Sequence, residues 1–140
     1  MTKLQKSVFA IFYCKNVPQS SEENRKELEK EYGEFLRLFP LPCGGRLEQV
    51  HLLRALEEYA DVAWLITCPE GSCRYFEGNL RAVKRVELAR SAIASIGLEK
   101  ERVGITVGSM DVNKTLEKLI REIMEKASGL GPSPVHRKSI

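Results

Sequence analysis

Four cysteines hold most of the reactive chemistry available to this 140-residue chain: Cys14, Cys43, Cys68 and Cys73. The two histidines, His51 and His136, fall on a helix-like stretch and in the terminal tail, and form no nucleophile–base pair with a serine. Thiolates attack electrophiles, exchange disulfides or hold soft metals. Their spacing, Cys-x28-Cys-x24-Cys-x4-Cys, lacks the paired short knuckles of a zinc ribbon. A four-thiolate site assembled from separate loops suits zinc or an iron–sulfur cluster, and ligand type alone does not separate the two. Buried cysteine is also an ordinary small hydrophobe, so each position taken singly has a purely packing explanation. Structural disulfides are not expected, because nothing in the sequence points to an oxidising compartment.

The elements that must position these sulfurs are legible in the apolar pattern. Runs at Val8–Tyr13, Phe35–Leu41, Val62–Thr67 and Val103–Val107 predict strands, each followed by a helix-like segment. Strand–helix alternation at this spacing predicts a parallel sheet with helices on both faces. The unbroken apolar stretch Val62-Ala63-Trp64-Leu65-Ile66 fits a strand buried on both sides. Pro40 cannot donate a ladder hydrogen bond, so its strand is expected at an edge. Right-handed crossovers then favour the order 2-1-3-4, a small flavodoxin-like or Rossmann-like three-layer sandwich in the α/β class.

Helices are expected from a capping box at Ser20-x-x-Glu23 to a stop at Gly33, and over Glu48–Tyr59, with Leu52, Leu53 and Leu56 inside. A third is expected over Gly78–Ile96 with Val83, Val86, Ala89, Ile93 and Ile96 on one face. A fourth, capped by Asp111, carries Val112, Leu116, Leu119, Ile120, Ile123 and Ala127 on one stripe. One domain is expected over 1–130, with a loose tail over 131–140 that contains Pro132 and Pro134. Trp64 and Phe9 are expected in the core.

In such a sheet the carboxyl ends of the strands line one edge, where ligands bind. Cys14 ends the first predicted strand, Cys43 follows the second, and Cys68 and Cys73 follow the third, so all four are expected to converge there. Lys15, Arg46 and Arg74 lie within three residues of a cysteine and would favour the thiolate form. Gly44, Gly45 and Gly71 would let backbone amides approach sulfur.

Composition excludes several classes. A formal net charge of +3 is too small to argue for nucleic acid. No apolar run approaches the ~20 residues of a membrane span, and no signal-peptide core precedes the first strand, so a cytoplasmic protein is expected. Neither Gly-x-Gly-x-x-Gly nor a phosphate-binding P-loop sequence occurs. The run Arg81, Lys84, Arg85 and Arg90 reads as a solvated helix face or a docking surface for an acidic partner.

Three segments together resemble a known family. Phe12-Tyr13-Cys14, Pro42-Cys43-Gly44-Gly45-Arg46 and Cys68-Pro69-Glu70-Gly71-Ser72-Cys73-Arg74-Tyr75-Phe76-Glu77-Gly78-Asn79 resemble the hydrogenase iron–sulfur (delta) subunit family. Its best-known members are delta subunits of methyl-viologen-reducing hydrogenase, associated with heterodisulfide reductase. The resemblance extends over about Val8 to Pro132, and the third segment is its most specific part. It implies a 2Fe-2S protein, not itself catalytic, with Cys14, Cys43, Cys68 and Cys73 as ligands. It further implies electron relay between a hydrogenase or dehydrogenase partner and a flavin-containing heterodisulfide-reductase-type subunit. One departure stands out. The family usually has Cys-x2-Cys at the first strand end, and here the second position is Val17. Four thiolates remain, the number such a cluster takes.

Other readings stay open. Cys68-x5-Arg74 between a strand and a helix is the signature of cysteine-dependent phosphatases and arsenate reductases, in which a thiolate attacks phosphorus while arginine holds the oxygens. Tyr75 stands where those loops usually have Ser or Thr, and no acid loop is evident. A zinc-binding structural module would use the same four ligands, and a thiol–disulfide role for Cys68 and Cys73 lacks Cys-x-x-Cys spacing.

Overall fold

The computed structural model describes residues 7–14, 17–41, 49–67, 76–107, 115–127 and 130. Four strands, β1 (Phe9–Cys14), β2 (Leu36–Leu41), β3 (Val62–Thr67) and β4 (Val103–Val107), form one parallel sheet in the order β2-β1-β3-β4. Four helices, α1 (Glu22–Tyr32), α2 (Gln49–Glu58), α3 (Phe76–Ser95) and α4 (Leu116–Lys126), follow them in turn. The predicted class, strand order and edge position of Pro40 all hold.

Alternating side chains divide the sheet into two apolar layers. Phe9, Ile11, Tyr13, Leu36, Leu38, Val62, Trp64 and Ile66 meet Leu28 of α1 and Leu116, Leu119, Ile120 and Ile123 of α4. Ala10, Phe12, Ala63 and Leu65 meet α2 and α3 through Leu52, Ala55, Leu56, Ala82, Val86, Ala89 and Ile93. Both central strands, β1 and β3, are buried along their whole length, which is why they read as continuous apolar runs.

Strand β2 shows how an edge is closed. Leu38 donates its backbone N–H to Glu29 Oε2 at 2.9 Å. Pro40, two residues on and therefore of the same parity, has no N–H to leave open. At the far side the Trp64 indole lies over β4 and donates to Thr106 Oγ1 at 2.8 Å. Gly104 permits this, since a methyl group there would collide with the Trp64 ring.

Local details correct four expectations. The α1 cap is Ser21 rather than Ser20: its hydroxyl accepts from Asn24 N–H while the Asn24 side chain accepts from Ser21 N–H. Asn at the third helical position closes the box as well as Glu would. Gly33 ends the helix at φ 64°, as expected. On α3 the inward face is Ala82, Val86, Ala89 and Ile93, whereas Val83 and Ile96 are exposed. The smaller Ala82 fits the close approach to the sheet, and Ile96 lies in the turn beyond the helix. Leu53 is only half-buried. Helix α4 is capped by Thr115, whose hydroxyl accepts from Lys118 N–H, while Asp111 and Val112 lie outside the described residues.

No helix among the described residues is long and apolar enough to cross a membrane.

A candidate thiolate site at the carboxyl edge of the sheet

Parallel register brings the strand ends side by side. Cys14 is the last residue of β1 and stands opposite Leu41, the last residue of β2. Tyr13 stands opposite Ile66, one residue before the end of β3. In sequence, Cys43 follows Leu41 by two residues and Cys68 follows Thr67 directly. Neighbouring strands lie about 4.8 Å apart, so the three chain segments bearing these cysteines leave the sheet from adjacent points.

Cys14 is fully buried in the layer beneath α1 and α4 and is disulfide-bonded. The other three cysteines, Cys43, Cys68 and Cys73, lie outside the described residues, as do Lys15, Arg46, Arg74, Gly44, Gly45 and Gly71. A disulfide joins residues whose Cα atoms are about 4.4–6.8 Å apart. Every other cysteine is at least 29 residues away in sequence. The bond differs from the expectation of reduced thiols. The compartment argument concerns cross-links that hold a fold together, whereas sulfurs gathered for a shared centre meet the same distance condition.

The turn after Cys14 is tightly held. Val17 N–H donates to the Cys14 carbonyl at 3.1 Å, Ser20 Oγ donates to the Val17 carbonyl at 2.6 Å, and Leu116 N–H donates to the Pro18 carbonyl at 2.9 Å. Val17 is buried in the same apolar layer as Cys14. Val17, where the resemblance leads one to expect a second cysteine, is thus an apolar side chain in the same layer as the buried sulfur. A cleft of about 520 Å³ opens over this turn, lined by Val17, Gln19, Ser20, Ser21, Glu22, Asn24 and Pro40. Gln19 adopts φ 55°, an uncommon conformation for a non-glycine residue.

One residue at this edge was not singled out from the sequence. Tyr13, fully buried beside Cys14, has a hydroxyl with no hydrogen-bond partner among the described residues. Burial pushes its pKa up to about 12, opposed by the nearby Arg25 guanidinium and reinforced by Glu22 and Glu29. A tyrosine inside an otherwise apolar central strand was the available signal. Among the described residues no three His, Cys, Asp or Glu side chains gather into a metal-binding group.

The model of the methyl-viologen-reducing hydrogenase delta subunit family matches residues 9–131. The chain belongs to that family. It is 29% identical over 128 residues to the vhu iron-sulfur subunit of the F420-non-reducing hydrogenase of Methanopyrus kandleri, covering 91% of this chain and 97% of that protein. Its counterpart in Methanocaldococcus jannaschii is 25% identical over 128 residues, 91% of this chain and 96% of that one. A different relative is a subunit of the ferredoxin/F420H2-dependent CoB-CoM heterodisulfide reductase of Methanosarcina acetivorans. It is 27% identical over 101 residues, which are 72% of this chain but only 13% of that much longer one.

Proposed function

We propose that this chain is a non-catalytic electron-transfer subunit of a hydrogenase-type complex, holding a 2Fe-2S cluster through Cys14, Cys43, Cys68 and Cys73. It relays electrons between a hydrogenase or dehydrogenase partner and a flavin-containing heterodisulfide-reductase-type subunit. The observation that carries this reading is the place of Cys14, buried at the end of β1 and opposite the last residue of β2; as a cluster ligand its sulfur would be a thiolate in place of the disulfide. Thiolate donors suit iron–sulfur clusters, and relatives that this chain matches along most of its length are named iron–sulfur subunits. When bound, the cluster supplies one-electron chemistry that no side chain here offers.

The chain's own residues set the conditions for that chemistry. Cys14 is the last residue of the central strand β1 and pairs with Leu41 of β2, so its sulfur is presented by a rigid element rather than a loop. Val17, buried in the same layer as Cys14, gives that side of the site an apolar wall, and its backbone N–H closes the turn on the Cys14 carbonyl. The heterodisulfide reductase relative supports the partner assignment, since a segment like this chain forms part of that longer polypeptide.

Visible spectroscopy tests the reading. Anaerobically purified protein is expected to absorb in the visible and to bleach with dithionite, and Cys14→Ala is expected to lose this absorption. Colourless protein that also resists cluster reconstitution contradicts the assignment. Stoichiometric zinc in its place makes the four ligands structural and ends the redox role.

A further inference from the structure

Among the described residues a single buried side-chain polar atom lacks a hydrogen-bond partner, and it is the hydroxyl of Tyr13. The side chain is fully buried, in the same apolar layer as Cys14 and Val17. A phenol in such a layer normally reaches a partner, because an idle buried hydroxyl has given up its hydrogen bond to water. Phenylalanine would fill the space without that cost, and the same strand uses it at Phe9 and Phe12.

The charges that act on Tyr13 are those of Arg25, Glu22 and Glu29, and all three are engaged elsewhere. Arg25 bonds to Glu22 at 2.8 Å and to Glu29 at 2.9 Å, and Glu29 accepts the Leu38 N–H at 2.9 Å. None of them takes up the hydroxyl. They belong to the first two turns of α1, the helix that follows β1, so Tyr13 stands at the carboxyl edge of the sheet. Its register neighbours are Pro40, which lines the cleft, and Ile66, one residue before the end of β3.

Cys14 follows directly in the chain. In its disulfide-bonded state the sulfur is a weak acceptor. A thiolate, or a sulfide of a cluster, carries negative charge and accepts more strongly. The acceptor that Tyr13 lacks is the kind of atom that a cluster at this edge would supply.

We propose that the Tyr13 hydroxyl donates a hydrogen bond to a sulfur of the iron–sulfur centre and thereby raises its reduction potential. This rests on the electron-relay reading above and adds a residue that sets the driving force of the relay. Hydrogen bonds to cluster sulfurs are one of a protein's levers on potential. Reduction adds negative charge to those sulfurs, so a donor stabilises the reduced state more than the oxidised one.

The test compares wild type, Tyr13→Phe and Tyr32→Phe, each as the full chain isolated anaerobically with its cluster. Tyr32 packs against the same layer but is the last residue of α1. Redox titration followed by visible absorption reads the potential. ENDOR spectra of the reduced cluster in H2O and D2O read its exchangeable protons. At a fixed potential, Tyr13→Phe is expected to lower the ratio of reduced to oxidised cluster about tenfold, or about 59 mV for a one-electron couple. It is also expected to lose an exchangeable proton coupling that wild type shows, while Tyr32→Phe matches wild type in both.

A second measurement leaves the residue in place. Fluorinated tyrosine is a more acidic phenol and a stronger donor, so labelled wild type should shift to higher potential, opposite to Tyr13→Phe. Equal potentials in wild type and Tyr13→Phe overturn the donor role. So does an equal shift in Tyr32→Phe, or no rise on fluorination. Iron absent from wild type defeats the electron-relay reading instead, whereas iron present with a potential insensitive to Tyr13 defeats the donor alone.

Discussion

The two ends of the sheet are built on opposite principles. At the amino end, polar groups are tied to one another. Val8 N–H donates to Asp61 Oδ2 at 2.8 Å, Asp61 N–H donates to the Val8 carbonyl at 2.8 Å, and the buried Arg102 donates to the Asp61 carbonyl at 3.1 Å and to Glu99 at 2.7 Å. Ser7 Oγ adds a bond to the Leu130 carbonyl, fastening the segment after α4 to the segment before β1. At the carboxyl end stand a buried sulfur, an open cleft and a phenol with no partner among the described residues. Hydrogen bonds satisfied within the chain stabilise the amino end, while the carboxyl end keeps groups whose partners are not side chains of the described residues. Open α/β sheets bind their ligands at the carboxyl end of the strands.

Removing the amino-end clamp should have the largest effect. Arg102→Ala leaves the buried Asp61 carbonyl without its donor and should lower unfolding free energy by about 3 kcal/mol in urea titration. Iron content per folded chain should not change. A loss of iron equal to the loss of stability would erase the distinction between the two ends.

Tyr13→Phe sharpens the contrast from the other side. It deletes a buried hydroxyl that has no partner among the described residues, without changing the ring, so the variant should be more stable by about 1–2 kcal/mol. Wild type should also show an alkaline weakness that the variant lacks. Burial raises the Tyr13 pKa from 10.0 to about 12, so the folded state holds this proton more tightly than the unfolded chain. The contribution is therefore intact below pH 10 and is lost as pH climbs through 12. Chemical denaturation at pH 9 and pH 11 measures the difference, and identical pH responses in the two proteins would refute the assignment to Tyr13.

The smallest effect should come from Glu99→Gln. Its hydrogen bond with Arg102 holds the Glu99 carboxyl below the usual range, and that stabilisation is present at neutral pH and fades as acid titrates the group. Glu99 is half-exposed, so the pair contributes no more than about 1 kcal/mol. A loss as large as that of Arg102→Ala would mean that the ion pair, rather than the bond to Asp61, holds this end together.

The sheet was readable because its determinants are local: continuous apolar strands, a proline at an edge, and helix-length segments between strands. What escaped was set by tertiary contact. Whether Ala82 or Val83 faces inward depends on how close α3 approaches the sheet, and Ser21 wins the cap over Ser20 because Asn24 answers it three residues on. The clamp of Asp61 and Arg102 joins residues 41 apart and has no signature in sequence. At the carboxyl end, the position of Cys14 at a strand terminus was legible from pattern alone, while the Tyr13 hydroxyl, without a partner among the described residues, emerges only from the third dimension.

The most direct measurement is chemical analysis of iron and acid-labile sulfide in the chain isolated anaerobically within its native assembly. About two irons and two sulfides per chain, with substantial loss on Cys14→Ser, are the expected values for a cluster held by four thiolates. One zinc per chain, or iron content unaffected by Cys14→Ser, would contradict it.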